Sequence, residues 1–174
     1  MADQEPIVGG NGADDNSQPQ VSILAQYVKD LSVENPSAPQ VYSWQVQPQL
    51  DVQFNLNVQG AGEGVHEVTL KFDISARSDN GTHFVVDLSY GGLFSLQNVP
   101  EEMLPMFLMI EAPRLLFPFA RQVISEAVSS TGFPPLMLDP IDFASAYMAQ
   151  LEATQQQQDA AGGNGGNEQA PTEA

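Results

Sequence analysis

The chain has 174 residues, of which 42% are hydrophobic, and it carries a formal net charge of −17 at neutral pH. This charge repels phosphate backbones and anionic membrane surfaces and favours basic partners, so nucleic acid is excluded as a ligand. The chain has no cysteine, which excludes disulfides, thiolate nucleophiles and cysteine-based zinc sites.

Both ends of the chain are polar and rich in Gly, Asn, Gln and acidic residues. Residues 1–19 and 154–174 lack the apolar surface needed to offset the entropy of ordering, so we expect two disordered tails around one folded domain at 20–153. The N-terminus has no basic start or apolar run typical of a signal peptide, which predicts a cytoplasmic protein. The most apolar window, 103–119, is interrupted by prolines, so we expect no direct membrane insertion.

Four segments in the first half alternate apolar and polar residues, the period of half-buried strands: 21–34, 50–58, 65–77 and 83–90. In the first, one face is expected to carry Val21, Ile23, Ala25, Tyr27, Leu31 and Val33. Asn80-Gly81 predicts a hairpin turn between the third and fourth strands, because both residues accept a positive φ. Alternation on one side of each strand predicts an antiparallel sheet.

The period changes to that of a helix in the second half. Residues 114–129 carry an apolar stripe made of Leu115, Leu116, Phe119, Ala120, Val123, Ile124, Ala127 and Val128, which predicts an amphipathic helix ending at Gly132. Residues 101–111 are interpreted as an irregular helical prelude. Asp139 as N-cap and Pro140 in the first turn predict a last helix at about 140–153. The predicted fold class is α+β, with a four-stranded antiparallel sheet followed by a long amphipathic helix and a shorter C-terminal helix.

Signals for catalysis are weak. His66 and Glu67 are neighbours on a strand and therefore point to opposite faces, whereas His83 and Asp87 share a face but lie about 13 Å apart. We interpret both histidines as ordinary surface residues and expect no catalytic residue, no metal and no cofactor. The glycines of 60–64 join two strands and are too closely spaced for a phosphate-binding loop.

The outward face of the predicted sheet is rich in acidic residues. It carries Asp30, Glu34, Asp51, Glu67, Asp73 and Asp87 against Lys71 and Arg77. One interpretation is that these charges prevent the sheet edges from pairing with other chains. The other is a docking surface for a basic element, since a solvated face normally mixes its charges more evenly. Both interpretations stay open on the residues alone.

Large apolar residues also occupy two predicted loops. Tyr42 and Trp44 lie in the proline-rich connection after the first strand, and Phe133, Leu136 and Met137 lie between the two helices. Because loops lie at the surface, such residues either fold back as lids or line a binding groove.

Four stretches, in this order along the chain, resemble the SecB family of protein-export chaperones. They are YVKDLSVENPSAP at 27–39, YGGLFS at 90–95, RLLFPFAR at 114–121 and TGFPPLMLDPIDF at 131–143. The resemblance implies a homotetramer that is a dimer of dimers. In it, the first helices of the subunits form layers between two eight-stranded sheets. It also implies that the protein has no enzymatic activity.

The resemblance further implies a function and its sites. The protein would be an ATP-independent holdase that binds unfolded precursor proteins, keeps them competent for translocation and delivers them to the SecA motor. The client-binding groove would contain Tyr42, Trp44, Phe133, Leu136 and Met137, and the SecA-binding site would contain Asp30, Glu34, Val85 and Asp87. The alternative is a small-ligand enzyme or carrier with a pocket between sheet and helix.

Overall fold

The structure, a computed structural model, describes residues 18–162, with the backbone alone for 158–162. Of the predicted tails at 1–19 and 154–174, residues 1–17 and 163–174 therefore lie outside the described residues. Four strands form one antiparallel sheet, which confirms the predicted sheet: β1 (Gln20–Glu34), β2 (Gln49–Gly62), β3 (Val65–Ser78) and β4 (Gly81–Gln97). The spatial order is β1-β4-β3-β2, so β1 and β2 are the two edges.

The hairpin between β3 and β4 turns one residue earlier than predicted. Ser78 pairs with Gly81, so the two turn residues are Asp79 and Asn80. Only Gly81 takes a positive φ, of 137°. The shift in register that follows, between Ala76 and Arg77, accommodates the earlier turn.

Two register shifts interrupt β1, and they correct the predicted assignment of its faces. Leu24 and Lys29 are extra residues relative to β4, and each reverses the alternation that follows. The inner face, which meets the core, therefore carries Val21, Ile23, Gln26, Val28, Leu31 and Val33, each paired with an inward residue or Gly92 of β4. Ala25 and Tyr27 lie on the outer face, contrary to the prediction, because the extra residue Leu24 reverses the alternation before them.

One long helical segment, α1 (Glu101–Ser130), follows the sheet. It begins with 3₁₀ and α turns, passes through a π turn at Phe107–Glu111 and continues as a regular α-helix over Ala112–Ser130. This confirms the irregular prelude. Pro113 has no N–H to donate to the preceding turn, which is consistent with the π turn just before it. The segment ends before Gly132, whose φ is 87°.

Helix α1 packs across the inner faces of β3 and β4 and forms the core with them. By length and composition α1 would suffice to cross a membrane. Its Leu116, Ala120 and Ile124 side chains are, however, fully buried against the sheet. Leu115 and Phe119, predicted in the same stripe, point away from the sheet and remain about half exposed. The helix therefore carries a second apolar face that its own sheet does not cover.

Consecutive glycines of β4 allow close packing on both sides of the sheet. A Cβ at Gly92 would lie 2.5 Å from a methyl carbon of Leu116, and a Cβ at Gly91 would lie 2.8 Å from the ring of Tyr27. Neither distance is compatible with a side chain, so helix α1 on the inner face and Tyr27 on the outer face both depend on this pair.

The last helix, α2 (Phe143–Gly162), begins and ends later than predicted. Its N-cap is Asp142 rather than Asp139, because the Asp142 carboxylate accepts bonds from the Ser145 N–H at 3.0 Å and the Ser145 hydroxyl at 2.8 Å. These bonds lower the pKa of Asp142. The helix runs past the expected end at 153 because the Gln- and Ala-rich segment has high helix propensity until the glycines begin.

Candidate functional site

The connection between β1 and β2, residues 35–48, folds against the loop between the helices. The Tyr42 hydroxyl donates to the Thr131 carbonyl at 2.6 Å and accepts from the Asn35 amide at 2.8 Å. The Tyr42 ring lies 5.8 Å from the Phe133 ring. Val41, only 2% exposed, anchors the connection from below. Two loops far apart in sequence are thus held together at one place.

An aromatic cluster forms the floor beside this contact. The Trp44 ring lies 5.1 Å from His83, and Phe133 lies 5.9 Å from His83 and 5.4 Å from Phe84. His83 is 3% exposed and its Nε2 lies 2.9 Å from the Ser78 hydroxyl, so the prediction of a surface histidine was wrong. His83 is the extra residue at the register shift of β4, which places its ring beside the two loops.

These residues line an open apolar groove. Its first part, of about 570 Å³, is bounded by Tyr42, Trp44, Leu50, His83, Phe84, Phe133 and Leu136, among others. A second part of about 380 Å³ shares Leu50 and Leu136 and adds Met137, which is 61% exposed. A third part, of about 350 Å³, shares Phe54 with the second, lies against α2 and has a mixed lining that includes Asn55 and Gln150. Together the three parts, here called the apolar groove, follow edge strand β2.

All five residues predicted for the groove line it, but the sequence interpretation missed its other wall. That wall is the inner face of β2, where Leu50, Val52 and Phe54 are 37–45% exposed. The strict alternation of β2 placed these residues on the inner face, and we therefore assigned them to the core. In the structure α1 lies mainly over β3 and β4, so these residues of β2 stay uncovered. Among residues 18–157, whose side chains the structure describes, no three acidic or histidine side chains are grouped to hold a metal ion.

The opposite face of the sheet brings the predicted acidic residues together. Across β1 and β4, Asp30 pairs with Ser89, Ser32 with Asp87 and Glu34 with Val85. Asp73 of β3 pairs with Asp87 from the other side, and Asp51 of β2 lies opposite Ser75. The side chains of one face therefore form a surface defined by Asp30, Glu34, Asp51, Asp73 and Asp87, here called the acidic face.

Asp73 and Asp87 are a like-charged pair directly opposite each other on neighbouring strands. The nearby Asp73 carboxyl raises the pKa of Asp87, and partial burial and the charge of Glu34 add to this effect. Lys71 opposes the effect, but its ammonium is 3.9 Å from Asp73 and both side chains are about half exposed. The acidic face therefore contains repulsion that the chain itself only partly neutralises.

Replacing Asp73 with Asn is expected to stabilise the protein at neutral pH by roughly 0.2–1 kcal/mol, a modest value because solvent screens the pair. Since the folded-state pKa of Asp87 is raised, the ionised pair costs free energy above that pKa and the cost disappears as the pH falls through it. Thermal unfolding measured between pH 8 and pH 4 should show a higher melting temperature for the variant than for wild type at pH 8, and this difference should vanish in acid. Glu63→Gln, in an exposed turn, is the matched control, and an equal gain there would contradict the pair effect.

Glu67 lies on the outer face of the sheet, as predicted, but it is buried there and is not one of the exposed carboxylates of the acidic face. It is 6% exposed, and its carboxylate accepts hydrogen bonds from the Tyr27 hydroxyl at 2.5 Å, the Lys29 ammonium at 2.7 Å and the Gln59 amide. The bond from Lys29, followed by that from Tyr27, holds the pKa of Glu67 below its usual range. The hydrogen bond between Tyr27 and Glu67 raises the pKa of Tyr27 to about 12. These four residues, here called the Glu67 cluster, are internally compensated.

The sequence profile of the preprotein translocase subunit SecB matches residues 14–155, which is most of the chain. The chain belongs to the SecB family. Protein-export protein SecB of Zymomonas mobilis is 56% identical over 142 residues, covering 82% of this chain and 87% of the relative. That of Sphingopyxis alaskensis is 50% identical over 153 residues, covering 88% of each. Family membership confirms a protein-export chaperone rather than an enzyme.

A solved structure supports the fold of the SecB family for this chain. It is the SecB-like chaperone of Mycobacterium tuberculosis, determined in complex with a peptide from an antitoxin. The two proteins share 16% sequence identity, and the match covers 70% of this chain and 90% of the other with a TM-score of 0.58. At this identity the comparison bears on the fold alone.

Proposed function

We propose that this SecB-family chaperone is an ATP-independent holdase that binds unfolded precursor proteins in the cytoplasm, keeps them competent for translocation and delivers them to the SecA motor. The observation that carries the proposal is the apolar groove. Aromatic side chains from two distant loops converge there beside the uncovered apolar residues of an edge strand. Such a surface accepts extended chains of varied sequence, because burial of apolar area is not directional.

Binding in the groove requires no nucleotide and no catalytic group. Each apolar client side chain that leaves water contributes about 25 cal/mol per Å² of buried area. Single contacts of this kind are weak and reversible, and several along one chain add avidity. Most large apolar side chains of a folded protein are buried and cannot enter the groove. The dependence of binding on apolar burial therefore also makes the groove selective for non-native chains.

We propose the homotetramer of the family for the assembled protein. Large apolar side chains remain exposed on two elements outside the groove: Val21, Ile23, Leu24, Val28 and Leu31 on β1, and Leu115 and Phe119 on α1. A second and third copy covering these two surfaces would bury them, and patches of this extent on a monomer favour association.

We assign SecA docking to the acidic face, with Asp30, Glu34, Val85 and Asp87 as contact residues. The SecB resemblance implies a basic, zinc-containing tail on SecA, which is complementary in charge to this face. Val85 is half-buried, pairs with Glu34 across the strands and precedes Asp87 by two residues on the same face, so it would supply an apolar contact beside these acids. The apolar groove follows the far edge and the inner side of the sheet, so client and motor would occupy separate surfaces.

The holdase proposal is tested by light scattering of a chemically denatured client diluted into buffer with and without the protein. Suppression of aggregation without ATP, at near-equal molar ratio of assembly to client, is the expected result. Sedimentation velocity of the same preparation at micromolar concentration should show a species of about four chains. A monomer without effect on aggregation would instead support the small-ligand carrier.

A further inference from the structure

The Glu67 cluster spans the whole width of the sheet on its outer side. Glu67 lies on β3, Gln59 on β2, and Tyr27 and Lys29 on β1. To reach Glu67, the Tyr27 ring crosses β4 directly above Gly91, where a Cβ would lie 2.8 Å from it. The carboxylate of Glu67 is therefore the common partner of both edge strands.

The cluster coincides with the second register shift of β1. Lys29 is the extra residue between Val28, which pairs with Tyr90, and Asp30, which pairs with Ser89. In a regular strand, residues three apart point to opposite faces. Because of the shift, Tyr27 and Asp30 lie on the same outer face, and Glu34 follows in phase with Asp30.

Two alternatives exist for β1 if Lys29 is not held as the extra residue. Either Tyr27 turns inward, or Asp30 and Glu34 turn inward and Leu31 and Val33 turn outward, because a slip of one residue exchanges the faces. The hydrogen bond from Tyr27 excludes the first alternative and the ion pair of Lys29 holds the shift in place. Both bonds end on Glu67, which is buried and has a low pKa, so it keeps its charge over the neutral range.

We propose that Glu67 is a positioning residue for SecA docking, which holds the Lys29 bulge and thereby presents Asp30 and Glu34 on the acidic face. This inference rests on the proposed assignment of SecA to that face. Glu67 itself would make no contact with the motor. It acts through the strand, in the way that bulges next to functional sites direct side chains.

The test compares Glu67→Ala with wild type in the full-length chain, using three measurements. Hydrogen exchange of the 28–34 amides should accelerate relative to the amides of β3 and β4. Affinity for purified SecA should fall roughly tenfold, since the two ion-pairing residues of β1 lose their fixed orientation. Suppression of client aggregation should be unchanged.

Two control variants separate positioning from general loss of stability. Lys29→Arg keeps the ion pair and should retain wild-type exchange and SecA affinity. Val128→Ala creates a cavity in the core between α1 and the inner face of the sheet. It should lower the melting temperature without changing SecA affinity. A fall in SecA affinity with Val128→Ala equal to that with Glu67→Ala would overturn the inference.

The outcomes distinguish this inference from the docking proposal. Unchanged exchange at 28–34 in Glu67→Ala overturns the positioning role whatever SecA does. Faster exchange with unchanged SecA affinity also overturns it, provided that reversing Asp30, Glu34 and Asp87 to Lys abolishes binding. If that reversal leaves SecA affinity intact, the docking proposal fails and the exchange result alone decides whether Glu67 fixes the strand.

Discussion

Reversing Asp30, Glu34 and Asp87 to Lys is expected to abolish binding to SecA while client holding, assembly and fold persist. The three carboxylates lie on adjacent strands of one face. Each exposed ion pair contributes only about 0.2–1 kcal/mol, so affinity must be collective and must weaken with salt. Replacing the three charges converts the attraction to repulsion. Titration against SecA at low and high salt measures the effect, with aggregation suppression recorded in parallel.

A matched control keeps the change in net charge and moves it elsewhere. Glu63, Asp79 and Glu126 are exposed residues of two turns and the outer side of α1. Reversing these three to Lys changes the total charge equally, and near-wild-type SecA affinity is expected. Equal loss in both variants would mean that long-range charge, rather than the acidic face, governs the encounter. Unchanged affinity in the first variant would leave these acids only the role of guarding a solvated sheet.

Replacing Tyr42, Trp44 and Phe133 with Ser is expected to remove most of the client holding and to leave the assembly intact. The three rings form the aromatic wall of the first part of the groove and lie outside the sheet core. Each ring supplies a large apolar area against which a client side chain can be buried, so replacing all three with Ser removes much of the binding free energy. Light scattering with a denatured client and sedimentation velocity measure the two properties.

The matched control for the aromatic variant also removes exposed apolar side chains, but away from the groove. Met148 and Leu151 on α2 are 61% and 40% exposed and do not line it. Their replacement with Ser should leave aggregation suppression unchanged. Normal holding by the aromatic variant would show that the groove assignment is wrong. Its dissociation into monomers would show instead that the three rings are part of the structural core.

Prediction from the sequence succeeded where one local pattern determines the outcome. The alternation in 65–77 and the helical spacing after 114 each reflect burial on one side of a single element, so the strands and the long helix followed. The N-cap of the last helix was less determined, because both Asp139 and Asp142 precede it and either could supply the cap. Only the bonds of Ser145 to Asp142 decide between them.

The misassigned features depend on pairing between elements. The bulges at Leu24 and Lys29 exist only relative to β4, so the continuous alternation predicted for β1 placed Tyr27 on the wrong face. Glu67 appeared to be a solvated acid because its three donors come from other strands. His83 became part of the groove because loops from both halves of the chain close over it.

The order β1-β4-β3-β2 has a consequence for the length of chain that the assembly could hold. If two copies join through β1, the combined sheet ends in β2 on both sides, and the two grooves lie at its far margins. With strands about 4.8 Å apart, seven intervals separate these margins by roughly 34 Å. An extended polypeptide advances at most about 3.3–3.6 Å per residue. In such an assembly a client would need at least about ten unfolded residues between its two anchor points before one molecule could occupy both grooves, so double occupancy would report the length of chain that is still unfolded.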